Sequence, residues 1–175
     1  MEGVWKSVID KYSDQAHFIY ELIQNADDAG ASSVRFILEP ERLIFIHNGT
    51  THFSISNPAT EDEDTIKGTL GDINAITSIA NSNKLEHENK IGKFGVGFKS
   101  VFQYTSTPCI YDTYFKFKIE NYIVPTMING DFPGRKNDET LMIFPFNHKV
   151  KTVDECYKDI YEKLKSLFMS YIIFK

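Results

Sequence analysis

The chain has 175 residues, 42% apolar, 14% aromatic and 25% charged, which is enough for a packed core and lies outside the disordered class. Its 19 Lys+Arg against 24 Asp+Glu leave a net charge of −5, which speaks against a nucleic-acid partner held by a clustered basic face. No run approaches the ~20 apolar residues of a membrane span, Met1 to Asp14 lacks a signal-peptide core, and Cys109 and Cys156 form neither a disulfide framework nor a zinc pair; a soluble, cytoplasmic protein with two reduced, buried thiols is expected.

The first element is a helix from about Gln15 to Asp28, closed by Gly30 at the position of a helix C-terminal glycine. Val34–Leu38 and Leu43–Ile46 are β-branched and apolar and flank Glu39-Pro40-Glu41-Arg42, the pattern of a hairpin, and Asn48-Gly49 ends the second strand. The acidic run Glu61-Asp62-Glu63-Asp64 reads as solvated surface or a helix start. Helical spacing continues from Ile66 to Ala80, and Asn81 to Lys90 is polar and aperiodic, the composition of a mobile segment. A glycine-rich loop from Ile91 runs into a helix ending near Tyr104. Strand-like runs follow at Cys109–Tyr111, Tyr114–Ile119, Tyr122–Val124 and Leu141–Phe146, and Val153 to about Met169 reads as a closing helix. This order predicts an α+β fold: a two-layer sandwich with helices on one face of a mixed, mainly antiparallel sheet.

Two segments carry candidate chemistry. On a helical wheel, Phe18, Ile19, Leu22, Ile23 and Ala26 form one apolar arc. Glu21, Asn25 and Asp28 cluster on a separate face, so one helix can pack on the sheet and also present two carboxylates and an amide. A plain solvated helix face has the same pattern. The second segment is Gly92-Lys93-Phe94-Gly95-Val96-Gly97-Phe98-Lys99-Ser100. Glycines let backbone N–H groups approach a ligand, and a helix starting there favours phosphate. The spacing matches neither a Walker loop nor the dinucleotide fingerprint, and a structural turn stays open beside a phosphate cradle.

Taken in order, Glu21-Leu22-Ile23-Gln24-Asn25-Ala26-Asp27-Asp28-Ala29, the strand end His47-Asn48-Gly49 and Ile91 to Phe102 resemble the motifs of the GHKL ATP-binding superfamily. That superfamily includes gyrase, heat-shock chaperones and histidine kinases. "ELIQNADDAGA" and "IGKFGVGFKSVF" are most similar to sacsin-type and heat-shock-chaperone-type domains. The resemblance spans about Tyr12 to Phe146. It implies a Bergerat-type ATP-binding domain, the amino-terminal part of a longer protein, with ATP and Mg²⁺ held between helices and sheet.

The family roles transfer residue by residue. The resemblance implies that Glu21 activates the attacking water, that Asn25 holds Mg²⁺, and that Asp28, with Ala29 beside it, lies near the sugar and adenine. It gives Gly92, Lys93, Phe94, Gly95, Val96, Gly97, Phe98 and Lys99 to a phosphate-facing lid, Ser82 and Lys84 to a polar element ahead of it, and Thr140 to the adenine pocket. At the second motif the family usually reads D-x-G-x-G, and its Asp accepts the adenine amino proton. Here His47-Asn48-Gly49-Thr50-Thr51 puts His47 at the Asp position, with no second glycine. A neutral His can accept through one ring nitrogen, and Asn48 offers an amide oxygen; a strand-end histidine with no ligand contact is the alternative. His17, His52, His87 and His148 show no metal-ligand spacing.

The resemblance therefore implies slow ATP hydrolysis, weak in the isolated domain, driving lid closure in a chaperone-like cycle. A non-catalytic nucleotide sensor or interaction module is the alternative, as is the ATPase module of a DNA-associated or defence protein. Self-association and further domains of the parent chain are the remaining partner expectations.

Overall fold

The computed structural model describes residues 17–78 and 97–173. Helix α1 spans Phe18–Asp28, and Gly30, at φ 74°, turns the chain away as its spacing predicts. Strands β1 (Val34–Glu39) and β2 (Arg42–His47) form the expected hairpin, with Glu39 opposite Arg42 across the Pro40-Glu41 turn.

Helical spacing from Ile66 onward resolves into two short helices, α2 (Glu61–Lys67) and α3 (Asp72–Thr77). The break falls at Gly68, whose φ of 71° lets Thr69 N–H bond back to the Asp64 carbonyl. The acidic run fills the first turn of α2, where carboxylates complement the free N–H groups, and α2 buries none of its residues. Helix α3 is pinned instead: Asp72 accepts from the Ser54 amide and hydroxyl at 3.0 and 2.7 Å.

After Gly97 the chain enters a 3₁₀ helix, Phe98–Gln103, and then strands β3 (Cys109–Tyr111), β4 (Lys116–Glu120), β5 (Val124–Met127) and β6 (Thr140–Pro145). Strand β5 starts later than its apolar run predicts. Asn121 and Tyr122 sit at positive φ and make the turn between β4 and β5, so Tyr122 packs on the core from a loop. Helix α4, Val153–Ile173, closes the described chain.

The sheet order is β1-β2-β6-β3-β4-β5, and every described pairing is antiparallel, in the α+β arrangement expected. Alternation along the strands sorts their side chains to two faces. Leu43, Phe45, Ile110, Phe117, Met142 and Phe144 face the helices and meet Phe18, Leu22 and Ala26 of α1, Ile76 of α3, Phe102, and Cys156 and Ile160 of α4. The Phe18 ring lies 5.2 Å from Tyr104 and 5.8 Å from Phe144, which seats α1 on the middle of the sheet. The opposite face carries a smaller cluster of Ile44, Ile46, Leu141 and Ile143. Cys156 is buried, and its thiol is pushed up to about 11 by burial; Cys109 is only half-buried, on the second face, which corrects the expectation of two buried thiols. Among the described residues no helix is long and apolar enough to cross a membrane.

Candidate functional site

Anchoring α1 through Phe18, Ile19, Leu22 and Ala26 fixes where its other face points. Asn25 is carried inward with them and is 5% exposed, and its Nδ2 finds no hydrogen-bond partner among the described residues. Leaving a buried amide donor unpaired costs ~1–3 kcal/mol, so the side chain is placed at a cost to the fold. One turn earlier, Glu21 is half-buried and lies 3.4 Å from His17 Nε2. Gly97 stands directly against it: a Cβ there would fall 1.9 Å from Glu21 Oε2. The start of α1 and the end of the glycine-rich segment therefore meet. Asp28 points to solvent at the far end of the helix.

A second group of polar residues lines the sheet beneath. His47, at the end of β2, is the register partner of Thr140, the first residue of β6. Carried one residue past Tyr111–Leu141, the β3–β6 register puts Asp112 on the other side of Thr140. All three side chains lie on the helix-facing side and are buried, at 3%, 1% and 0% exposure. Thr140 Oγ1 donates to Asp112 Oδ1 at 2.6 Å, and His52 Nδ1 lies 3.0 Å from the same oxygen. His47 Nδ1 accepts the Gly49 N–H at 3.1 Å, while its Nε2 has no partner among the described residues. Burial lowers the His47 imidazole to about 4; the Asp112 charge works against this, and His52 adds to it. The ring is therefore neutral near pH 7.

The backbone around this row is held by α1. The amides of Thr50 and Thr51 donate to the Ala29 carbonyl at 2.9 and 3.1 Å. Gly49 sits so close that a Cβ would meet Ala29 Cβ at 2.7 Å and His47 Nδ1 at 2.9 Å. A side chain at residue 49 would separate the strand end from the helix end.

Some expected site residues are occupied with the fold. Asn48 uses its amide to tie the α1–β1 turn, accepting from the Ser32 and Ser33 amides at 3.0 and 2.9 Å and donating to Ser32 Oγ at 2.8 Å. Phe98 is a core side chain, 6.3 Å from Phe144. Lys99 is buried, with Nζ donating to the Ser78 carbonyl at 2.7 Å, and burial lowers its ammonium to about 8. The expected formal charge beside a phosphate is thus engaged at the end of α3. Ser82, Lys84, Gly92, Lys93, Phe94, Gly95 and Val96 lie outside the described residues.

Asp112 and His52 were not singled out by the sequence. Asp112 follows a three-residue strand, in the position of an ordinary turn residue, and only the pairing of β3 with β6 sets it against Thr140. His148 caps a turn, accepting the amides of Val150 and Lys151.

The profile of one family, described as the Sacsin domain, matches residues 3–119, well over half of the chain. The human protein Sacsin is 33% identical over 111 residues, covering 61% of this chain and 2% of that protein. Protein NO VEIN of Arabidopsis thaliana is 32% identical over 128 residues, covering 67% of this chain and 4% of that protein. The chain thus spans only a small fraction of the relatives it matches. Two solved structures align with this chain at low identity. The topoisomerase IV ATP-binding domain of Francisella tularensis, in complex with a small-molecule inhibitor, aligns with TM-score 0.46 and 17% identity over 87% of this chain and 41% of that one. The N-terminal domain of a DNA repair protein aligns with TM-score 0.47 and 15% identity over 95% and 46%. The matched stretch runs from before α1 into β4 and contains both the Glu21–Asn25 face and Gly97, and on that match the chain belongs to the Sacsin domain family.

Proposed function

We propose that this chain is a magnesium-dependent nucleoside-triphosphate-binding domain that hydrolyses its nucleotide slowly, ATP being the nucleotide its family resemblance names. The observation that carries this reading is the apposition of Gly97 to the Glu21 carboxylate, with the unpaired amide of Asn25 buried one turn further along α1. Phosphoryl transfer to water needs an oriented water, a cation to spread charge, and donors around the terminal phosphate. Helix α1 offers candidates for the first two, Gly97 sets the end of the glycine-rich segment against Glu21, and the donors would come from that segment.

The donor set suits magnesium. Among the described residues no group of three or more His, Cys, Asp or Glu gathers as a cation cage. Mg²⁺ takes one or two protein oxygens, keeps several waters, and is otherwise bound by substrate phosphates. Asn25 would supply one neutral oxygen through Oδ1, which fits a cation that arrives with the nucleotide, while its orphaned Nδ2–H, a donor, would be left to a phosphate oxygen. When bound, the ion neutralises charge on the phosphates.

Glu21 would hold the attacking water and take its proton, with His17 steadying the carboxylate from the preceding turn. Gly97 contributes by lacking a side chain, since any Cβ there would displace the carboxylate. Buried hydrogen bonding at Thr140 and Asp112 would position the base at the opposite end of α1. Movement of the glycine segment against Glu21 would turn phosphate occupancy into a chaperone-like conformational change of a larger protein.

Phosphate release with Mg-ATP, compared between the native chain and Glu21→Ala, tests the chemistry. The expected result is background release by the variant with unchanged calorimetric binding of a non-hydrolysable analogue. Equal release by both removes Glu21 from the reaction. Binding without turnover in either leaves a nucleotide sensor.

A further inference from the structure

Helix α4 carries a second face that the fold leaves uncovered. At about 100° per residue, Cys156, Ile160, Leu164 and Leu167 fall within roughly 80° of one another, and these side chains pack on the core. Tyr157, Tyr161, Asp154, Lys165 and Lys158 occupy a separate arc of roughly 100° beside them. Tyr157 and Tyr161 remain 36% and 45% exposed, with their rings 6.3 Å apart and within 8° of parallel. Lys165 Nζ lies 5.9 Å from the Tyr161 ring. Single exposed apolar side chains are ordinary. Two stacked tyrosines one turn apart instead form a preordered aromatic plate, of the residue type that interfaces favour and that loses little conformational entropy on docking. Asp159 is paired with Lys151, but among the described residues Asp154 and Lys165 have no ion-pair partner.

We infer that the Tyr157–Tyr161 face of α4 docks on the same face of a second copy of this chain, antiparallel and related by a two-fold axis. The order of charges along the stripe names this occupant. Asp154 lies in the first turn of the helix, Lys165 lies three turns later, and the tyrosines stand between them. A two-fold axis through the midpoint of Tyr157 and Tyr161 leaves Asp154 about 7.5 Å and Lys165 about 9 Å away along the helix, on opposite sides. Two antiparallel copies therefore set Asp154 of each against the partner's Lys165, twice, with the tyrosine plates in the middle. A parallel pairing would set aspartate on aspartate and lysine on lysine. The face is one helix wide, so the interface is small and the affinity is expected in the range of ~10–100 µM. It contains neither Glu21 nor Asn25, which lie on α1, and it stands independently of the nucleotide reading.

Sedimentation equilibrium of the 175-residue chain from about 5 µM to about 500 µM is expected to show a reversible passage from monomer to dimer. Tyr161→Glu, at an exposed position, is expected to keep the native circular-dichroism spectrum and to weaken dimerisation ~10-fold or more. The charges test the orientation. Asp154→Lys sets lysine against lysine in its own dimer, and Lys165→Asp sets aspartate against aspartate, so each alone is expected to dimerise ~10-fold more weakly than the native chain. A 1:1 mixture of the two restores both opposite-charge pairs and is expected to dimerise as the native chain does. A native chain that stays monomeric throughout overturns the inference and leaves the face to a different partner. A dimer that Tyr161→Glu leaves unchanged also overturns it, because another surface then makes the contact. A mixture no more dimeric than its components refutes the antiparallel pairing, and the mixture decides the matter if Tyr161→Glu does not fold.

Discussion

The buried imidazole of His47 makes stability depend on pH in a way that a single substitution isolates. Its pKa falls from 6.5 in the unfolded chain to about 4 in the fold, chiefly through burial. Between those values the unfolded chain binds the extra proton and the folded chain does not, so stability drops as pH falls. Protonation would also force a second N–H onto Nδ1, against the Gly49 amide that now donates to it. A lowering from 6.5 to about 4 corresponds to roughly 3 kcal/mol when fully expressed, of which about 2 kcal/mol is lost between pH 7 and pH 5. Urea unfolding at a series of pH values, for the native chain and for His47→Gln, measures it. Carboxylates titrate in both proteins and cancel in the difference. The expected difference curve is flat above about pH 7 and slopes by about 2 kcal/mol down to pH 5. A flat curve throughout would show that His47 stays solvated and protonatable in the folded state.

Asn25→Leu removes the unpaired buried amide and is expected to stabilise the unliganded chain by ~1 kcal/mol or leave it unchanged, while thermal stabilisation by Mg-nucleotide disappears; destabilisation by several kcal/mol would mean that the amide is satisfied. At Gly97 the backbone, φ −62°, suits alanine, and the intruding Cβ meets the end of a flexible side chain. Gly97→Ala should therefore change stability by less than ~1 kcal/mol yet lower phosphate release by ~10-fold, and unaltered turnover would sever Gly97 from the chemistry. Thr140→Val deprives Asp112 of its 2.6 Å donor and is expected to cost ~1–3 kcal/mol in denaturant unfolding, most of it recovered by Thr140→Ser.

The positions of α1 and α4, the hairpin and the helical start of the acidic run could be read locally, because each depends on near neighbours: the 3.6-residue spacing of Phe18, Leu22 and Ala26, the turn at Pro40-Glu41, and carboxylates at free helix N–H groups. The same local reasoning put Glu21 and Asn25 on one face of α1. It could not say that this face would carry Asn25 to 5% exposure, since that depends on what the sheet and the 3₁₀ helix place above it. Asn48 and Lys99 show the converse. Each has the right chemistry for a ligand, and each is used by the fold, Asn48 in the Ser32–Ser33 turn and Lys99 on the Ser78 carbonyl.

What the amino-acid order determined by itself is the set of elements and the presence of a carboxylate–amide helix face and of a glycine segment, because helix periodicity and glycine's small size act over a few residues. Only the tertiary structure decided the row His47–Thr140–Asp112, which joins strands far apart in the chain through the registers of β2 and β3 on β6. It also decided which way the protons in that row point. The donor or acceptor state of a buried group is set by the partner on its other side, and Gly49 and Asp112 become those partners only when the strands are assembled.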